Sequence, residues 1–226
     1  YETDSDGMKG KTRIKINSVA VNADGDYQKA YKNAIELAKY LKNQLEEIGV
    51  QDVSMSDRCY VYGTIPATTD AECPVVGFLA HMDTSSDYPD DPTNPQIIKN
   101  YDGGDIKLGD TEFVLSPSMF PFMKDYIGQD LITADGHTLL GADDKAGIAE
   151  IMSMLEYIIN NNIEHGDIFV AFTPDEEIGE GTKYFDFSKF KADFAYTIDG
   201  SELGEICYEN FNAATIKIQI KGVSTH

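Results

Sequence analysis

The sequence predicts an α/β fold: a mainly parallel sheet flanked by helices, followed by the start of a smaller α+β domain. Three observations predict it. Apolar runs at residues 75–80, 168–173 and 194–198 are five or six residues long and bounded by turn signals, the pattern of strands buried on both faces of a parallel sheet. Long segments with helical apolar spacing lie between and before them. Residues 215–221, Thr-Ile-Lys-Ile-Gln-Ile-Lys, instead alternate strictly, as a strand with one wet face does. Residues 1–209 therefore read as one domain and 210–226 as the beginning of a second.

Within residues 1–26 only Arg13-Ile14-Lys15-Ile16 alternates, and this segment carries no assigned role. From Tyr27 to Ile48, Tyr31, Ala34, Leu37, Ala38, Leu41, Leu45 and Ile48 fall on one helical face, and Gly49 supplies the stop. Residues 58–65 read as a strand that turns at Pro66. The run at 75–80 leads into His81-Met82-Asp83. Residues 84–131 hold few regular signals, yet Tyr, Phe and Ile recur through them; the region is an ordered wall beside a site or a mobile surface insertion. Thr138-Leu139-Leu140 runs into Gly141-Ala142-Asp143-Asp144-Lys145-Ala146-Gly147, and Ile148 to Asn162 places Ile148, Ile151, Met152, Leu155, Ile158 and Ile159 at helical spacing. The last two buried runs end in Pro174-Asp175-Glu176-Glu177 and in Asp199-Gly200.

Ligands of open α/β sheets bind beyond the carboxyl ends of the strands. Four segments here deliver His81, Asp83, Asp143, Glu176, Glu177 and Asp199 to one such edge, which points to a shared metal centre. Taken singly, each is ordinary loop chemistry. The Asp143-Asp144 pair reads equally as a helix N-cap with an acid favoured by the helix dipole.

Composition narrows the function. Asp and Glu number 39 against 18 Lys and Arg, a formal charge of −21. That argues against nucleic acid and anionic membrane surfaces, which need cations to meet phosphate, and favours attraction of metal ions. Cys59, Cys73 and Cys207 are an odd number at no metal-ligand spacing, consistent with a reducing compartment. No apolar stretch reaches the roughly 18 residues that cross a bilayer, and residues 1–7 lack a charged and apolar leader. A cytoplasmic protein is the expectation. His137 and His165 sit in turn sequences and are expected to be exposed and non-ligating.

The stretches His81-Met82-Asp83-Thr84, Tyr101-Asp102-Gly103-Gly104-Asp105-Ile106, Leu115-Ser116-Pro117, Leu139 to Glu150, Ala171 to Glu177 and Tyr196 to Gly200 together resemble peptidase T. That family comprises the tripeptide aminopeptidases among the di-zinc exopeptidases related to carboxypeptidase G and the aminoacylases. The resemblance covers residues 30–226. It implies a zinc exopeptidase-like catalytic domain over 1–209 and a lid and dimerisation domain starting at 210. It also implies two zinc ions, with cobalt or manganese as substitutes, tripeptide substrates, and a homodimer of the full-length protein.

Residue by residue, the resemblance implies that His81 and Asp199 hold one zinc, that Glu177 holds the other, and that Asp143 bridges both. Asp83 would hold the far nitrogen of His81 and fix its orientation. Glu176 would be the general base, passing a proton from a water between the metals to the leaving amine. The Asp143–Asp144 peptide would be cis. His226, in Gly222-Val223-Ser224-Thr225-His226, is similar to the start of a His-Pro-Gly stretch of the lid that reaches a neighbouring subunit's site. No residue matches the late histidine that completes the Glu177 site in the family. The chain thus reads as a fragment of a longer protein, with apolar sheet edges left exposed, or as a degenerate relative. A related amidohydrolase or carboxypeptidase acting on acylated amino acids, and a non-catalytic metal- or peptide-binding protein, are the alternatives; Glu176 speaks against the last.

Overall fold

Helix α1, Tyr27–Ile48, occupies the segment its apolar spacing marks out, and Leu37, Ala38, Leu41 and Leu45 form its fully buried stripe. The computed structural model describes residues 27–88, 93–200, 204–209, 216 and 218–222. Residues 1–26 with their Arg13–Ile16 alternation, most of 210–226, and His226 lie outside the described residues.

The strands in chain order are β1 (Gln51–Met55), β2 (Val61–Ile65), β3 (Val76–His81), β4 (Gln96–Ile98), β5 (Ile106–Lys107), β6 (Val114–Leu115), β7 (Leu131–Thr133), β8 (Ile168–Thr173) and β9 (Phe194–Thr197), with helix α2 (Ala142–Asn160) before β8. Five of them form the central sheet in the order β1-β2-β8-β3-β9. The three apolar runs are mutually parallel, β8 to β3 and β3 to β9. However, β1 and β2 are antiparallel to each other, and β2 is antiparallel to β8. The sheet is therefore mixed rather than mainly parallel. Residues 56–60, which join β1 to β2, are too short for the crossover of a dozen or more residues that a parallel pair requires. Nothing in Gln-Asp-Val-Ser-Met signals β1, because it has no apolar run and its residues are exposed or half-buried.

Strand β8 is the centre of the packing. Ile168, Val170 and Phe172 face a core shared by α1 and α2, with Leu41, Leu45, Ile148, Ile151 and Leu155. Phe169 and Ala171 face the opposite side, where Tyr60, Tyr62, Phe185 and Phe190 pack. Both helices thus lie on one face, and the loop around 185–192 covers the other. Strand β9 departs from its expected burial: all four residues are exposed. Among the described residues it is an edge strand, paired with β3.

Residues 93–133 are ordered around their own small core of Tyr101, Ile106 and Met123. Two antiparallel pairs, β4 with β7 and β5 with β6, and a 3-10 helix at Pro121–Tyr126 build it. For these residues the packed core supports the ordered-wall reading. The strand expected at 215–221 does not form in the described part of that stretch. Ile216, Ile218 and Ile220 are exposed, and no described strand lies beside them to complete a ladder. Among the described residues, no helix is long and apolar enough to cross a membrane.

Candidate metal centre

The carboxyl ends of β3, β8 and β9 point to one edge of the sheet, and the first turn of α2 closes over it. His81 is the last residue of β3, paired in register with Thr173 at the end of β8. The chain then turns through Asp175, in the left-handed region at φ 62°, to Glu176 and Glu177. Asp199 follows β9. His81 Nε2 lies 2.8 Å from Asp143 Oδ1, 3.6 Å from Asp199 Oδ2 and 3.8 Å from Glu176 Oε2. Two groups of three donors have their ligand atoms within 4.8 Å of one another: His81 with Asp143 and Glu177, and His81 with Asp144 and Asp199. The sequence-predicted residues His81, Asp143, Glu176, Glu177 and Asp199 do converge.

The two adjacent aspartates divide the readings between them. The Asp143–Asp144 peptide is cis, and neither residue has helical angles. Asp144 Oδ1 accepts the Gly147 N–H at 3.1 Å, the bond an N-cap makes to the third residue of its helix. Its Oδ2 accepts the His81 N–H at 3.1 Å. Asp144 is buried and ties the end of β3 to the start of α2. Asp143 points outward to the imidazole. Both oxygens of Asp144 already take a backbone N–H, so we assign it to the scaffold although it falls in one donor group. In the sequence the cap and the donor are rival readings of one pair, whereas in the structure Asp144 makes the cap bond and Asp143 faces the imidazole.

Asp83 stands on the Nδ1 side of His81. His81 Nδ1 donates to the main-chain oxygen of Asp83 at 2.9 Å, and the Asp83 carboxylate lies 3.5 Å from the same nitrogen. That carboxylate also accepts the N–H of Glu176 and of Glu177, each at 3.0 Å. No spacing rule in the sequence exposes such a contact across 93 and 94 residues. His137 is exposed and pairs with Asp110 at 2.7 Å. His165 is half-buried and bonds to the Gly166 carbonyl, and neither histidine is among the clustered donors.

The electrostatics suit a cation. Desolvation raises the carboxyl pKa of Asp144 to about 7, with the Asp199 charge adding to it. Desolvation also raises Glu176, Glu177 and Asp199, and neighbouring carboxylates push each further. For His81, burial works downward, but the hydrogen bond and charge of Asp83 and the charges of Asp144 and Asp199 outweigh it, to about 10. One imidazole and several crowded carboxylates are hard and borderline donors for a divalent first-row ion. Such an ion would relieve their repulsion.

A pH dependence follows. Both His81 and Asp144 have folded pKa values above their ordinary 6.5 and 3.8. The stability that protonated His81 contributes is complete below pH 6.5 and lost as pH rises toward about 10. That of protonated Asp144 is lost between pH 3.8 and about 7. After chelation the melting temperature should therefore fall as pH rises across this range. Added zinc should stabilise more as pH rises, because ligation requires His81 without its added proton. Parallel melting curves with and without zinc would check both signs.

No protein-family model matches the sequence. Individual relatives do. Peptidase T of Alkaliphilus oremlandii is 48% identical over 227 residues, covering 97% of this chain and 56% of that protein. Peptidase T of Clostridium perfringens is 54% identical over 196 residues, 86% of this chain and 48% of that protein. The chain is a homologue of peptidase T. It spans about half the length of the curated peptidases T it matches. Among solved structures it is similar to the aminopeptidase PepT of Bacillus cereus, at a TM-score of 0.55 and 28% identity over 74% of this chain and 38% of that one. A tripeptidase of Staphylococcus aureus gives 0.55 and 25% over 83% and 41%.

Proposed function

We propose that the chain carries the metal-binding and proton-transferring part of a metal-dependent aminopeptidase that releases the N-terminal residue of tripeptides. The observation that carries this reading is Glu176. It stands 3.8 Å from His81 Nε2 yet belongs to neither three-donor group. A structural metal site gains nothing from a further, unligated carboxylate; a hydrolase requires one as its base. The half-length match to peptidases T and the likeness to a tripeptidase of Staphylococcus aureus support the substrate class.

His81 and Asp199 would hold one zinc ion, Glu177 a second, and Asp143 would stand between them, with cobalt or manganese as substitutes. When bound, the pair supplies a water of lowered pKa and a polarised scissile carbonyl. Glu176 accepts the proton of the attacking water and hands it to the leaving nitrogen. Desolvation raises its pKa; His81 opposes, but Asp199, Asp83 and Asp143 add to it, moving the carboxyl toward the pH at which a general base works best. We place the remaining donor of the Glu177 ion, and the homodimer contacts in which His226 would take part, in a longer protein. Three unpaired cysteines suit a reducing compartment such as the cytoplasm.

The test compares a free tripeptide with its N-acetylated twin, using zinc-supplemented chain and a version extended to the relatives' length. Cleavage of the free peptide alone is expected. Cleavage of the acetylated peptide would make the enzyme an amidohydrolase of another specificity, and failure of the extended protein on both would leave a binding role.

A further inference from the structure

The geometry points to Asp83 as a positioning residue for the Glu176–Glu177 turn, its carboxylate acting as an internal anion held by two consecutive backbone N–H groups. Its place in the sequence, two residues after His81, suggests a partner for the imidazole. The distances add a second role. The imidazole takes the Asp83 main-chain oxygen at 2.9 Å, while the carboxylate lies 3.5 Å from Nδ1. The Glu176 N–H reaches Oδ1 and the Glu177 N–H reaches Oδ2, both at 3.0 Å.

Successive N–H groups that converge on one anion form a nest, and a nest requires a residue of unusual backbone near it. Asp175 is that residue, at φ 62°. Two further bonds close the turn: Gly179 N–H to Glu176 O at 2.7 Å, and Glu180 N–H to Asp175 O at 2.9 Å. Asp83 itself is buried, so its carboxylate meets these N–H groups with little competition from water. The consequence is specific. With both main-chain nitrogens fixed on one carboxylate, the side chains of Glu176 and Glu177 leave the turn in different directions. One can then stand among the clustered donors and the other beside them. Asp83 also seats His81 through its carbonyl, so a single residue sets the positions of three site side chains.

What the two glutamates do rests on the function proposed above, but the positioning claim is testable without it. In isotope-labelled, chelator-treated chain, scalar couplings through hydrogen bonds should connect the Glu176 and Glu177 nitrogens to Asp83 Cγ. Absence of both couplings overturns the proposal in the unmodified protein. Asp83→Asn keeps the main-chain oxygen and so the His81 contact, but replaces one acceptor oxygen by an amide donor. Amide exchange at Glu176 and Glu177 should then accelerate about tenfold or more, a factor of ten being about 1.4 kcal/mol. The His81 N–H, bonded to Asp144, should change little. Unchanged protection at Glu176 and Glu177, or an equal loss spread over β3 and β8, overturns it. Because neither readout uses metal or peptide, they stand if the zinc or tripeptide reading fails.

Discussion

Glu176→Gln is expected to slow tripeptide hydrolysis by about two to four orders of magnitude, or about 3–5 kcal/mol of barrier, while divalent-ion binding stays intact. Glutamine matches the shape of glutamate and removes only the ability to take a proton. The Glu176 main-chain N–H that meets Asp83 is untouched, so the turn and Glu177 keep their places. His81, Asp143, Glu177 and Asp199 remain as donors. One repulsive carboxylate disappears from beside the cluster, so the raised pKa values of Glu177 and Asp199, to which carboxylate neighbours contribute, give no reason for weaker metal binding. The check is a zinc titration beside a rate measurement on the same preparation of the extended protein. Loss of zinc together with activity would move Glu176 into the ligand set. Full activity in the variant would remove it from the mechanism.

Much of this site could be read from the chain because His81, Glu176, Glu177 and Asp199 end or closely follow strongly apolar runs. His81 ends β3, Glu176 and Glu177 follow β8 by one turn, and Asp199 follows β9; period and turn signals locate such positions well. The α1 boundaries were equally legible, since the apolar spacing ends at Ile48 and Gly49 takes a positive φ of 98°. Legibility failed where structure depends on pairing rather than on local pattern. Strand β1 has no apolar run and forms because β2 offers an edge. Burial of β9 was overestimated because composition cannot tell a central strand from an edge one. The roles of Asp83 and Asp144 were hidden for a related reason: their partners are backbone N–H groups, which every residue but proline has, so no side-chain motif marks them.

The same dependence on backbone makes Gly147 the second position where a small change should have a large effect. In a helix interior, Gly→Ala ordinarily stabilises by about 0.5–1 kcal/mol. Here the opposite is expected. A Cβ on Gly147 would fall inside contact distance of the Ile198 carbonyl oxygen and 2.5 Å from Asp144 Oδ1. Neither neighbour can turn aside cheaply. Ile198 is pinned on its other side, its N–H donating to Leu79 O at 2.7 Å, and Asp144 holds both Gly147 and His81. Overpacking against side chains costs about 1–3 kcal/mol, and a rigid backbone oxygen gives less relief than a side chain, so the steric term exceeds the propensity gain. The yielding part is the end of β9, among the described residues an edge strand paired with β3. Asp199, the next residue, would move away from His81 with it. Gly147→Ala should therefore lower both the melting temperature and the affinity for zinc, whereas Gly200→Ala, with no described residue within 4 Å of its Cβ, should change neither. If Gly147→Ala kept its zinc affinity, the approach of Ile198 to α2 would not be what carries Asp199 into the centre.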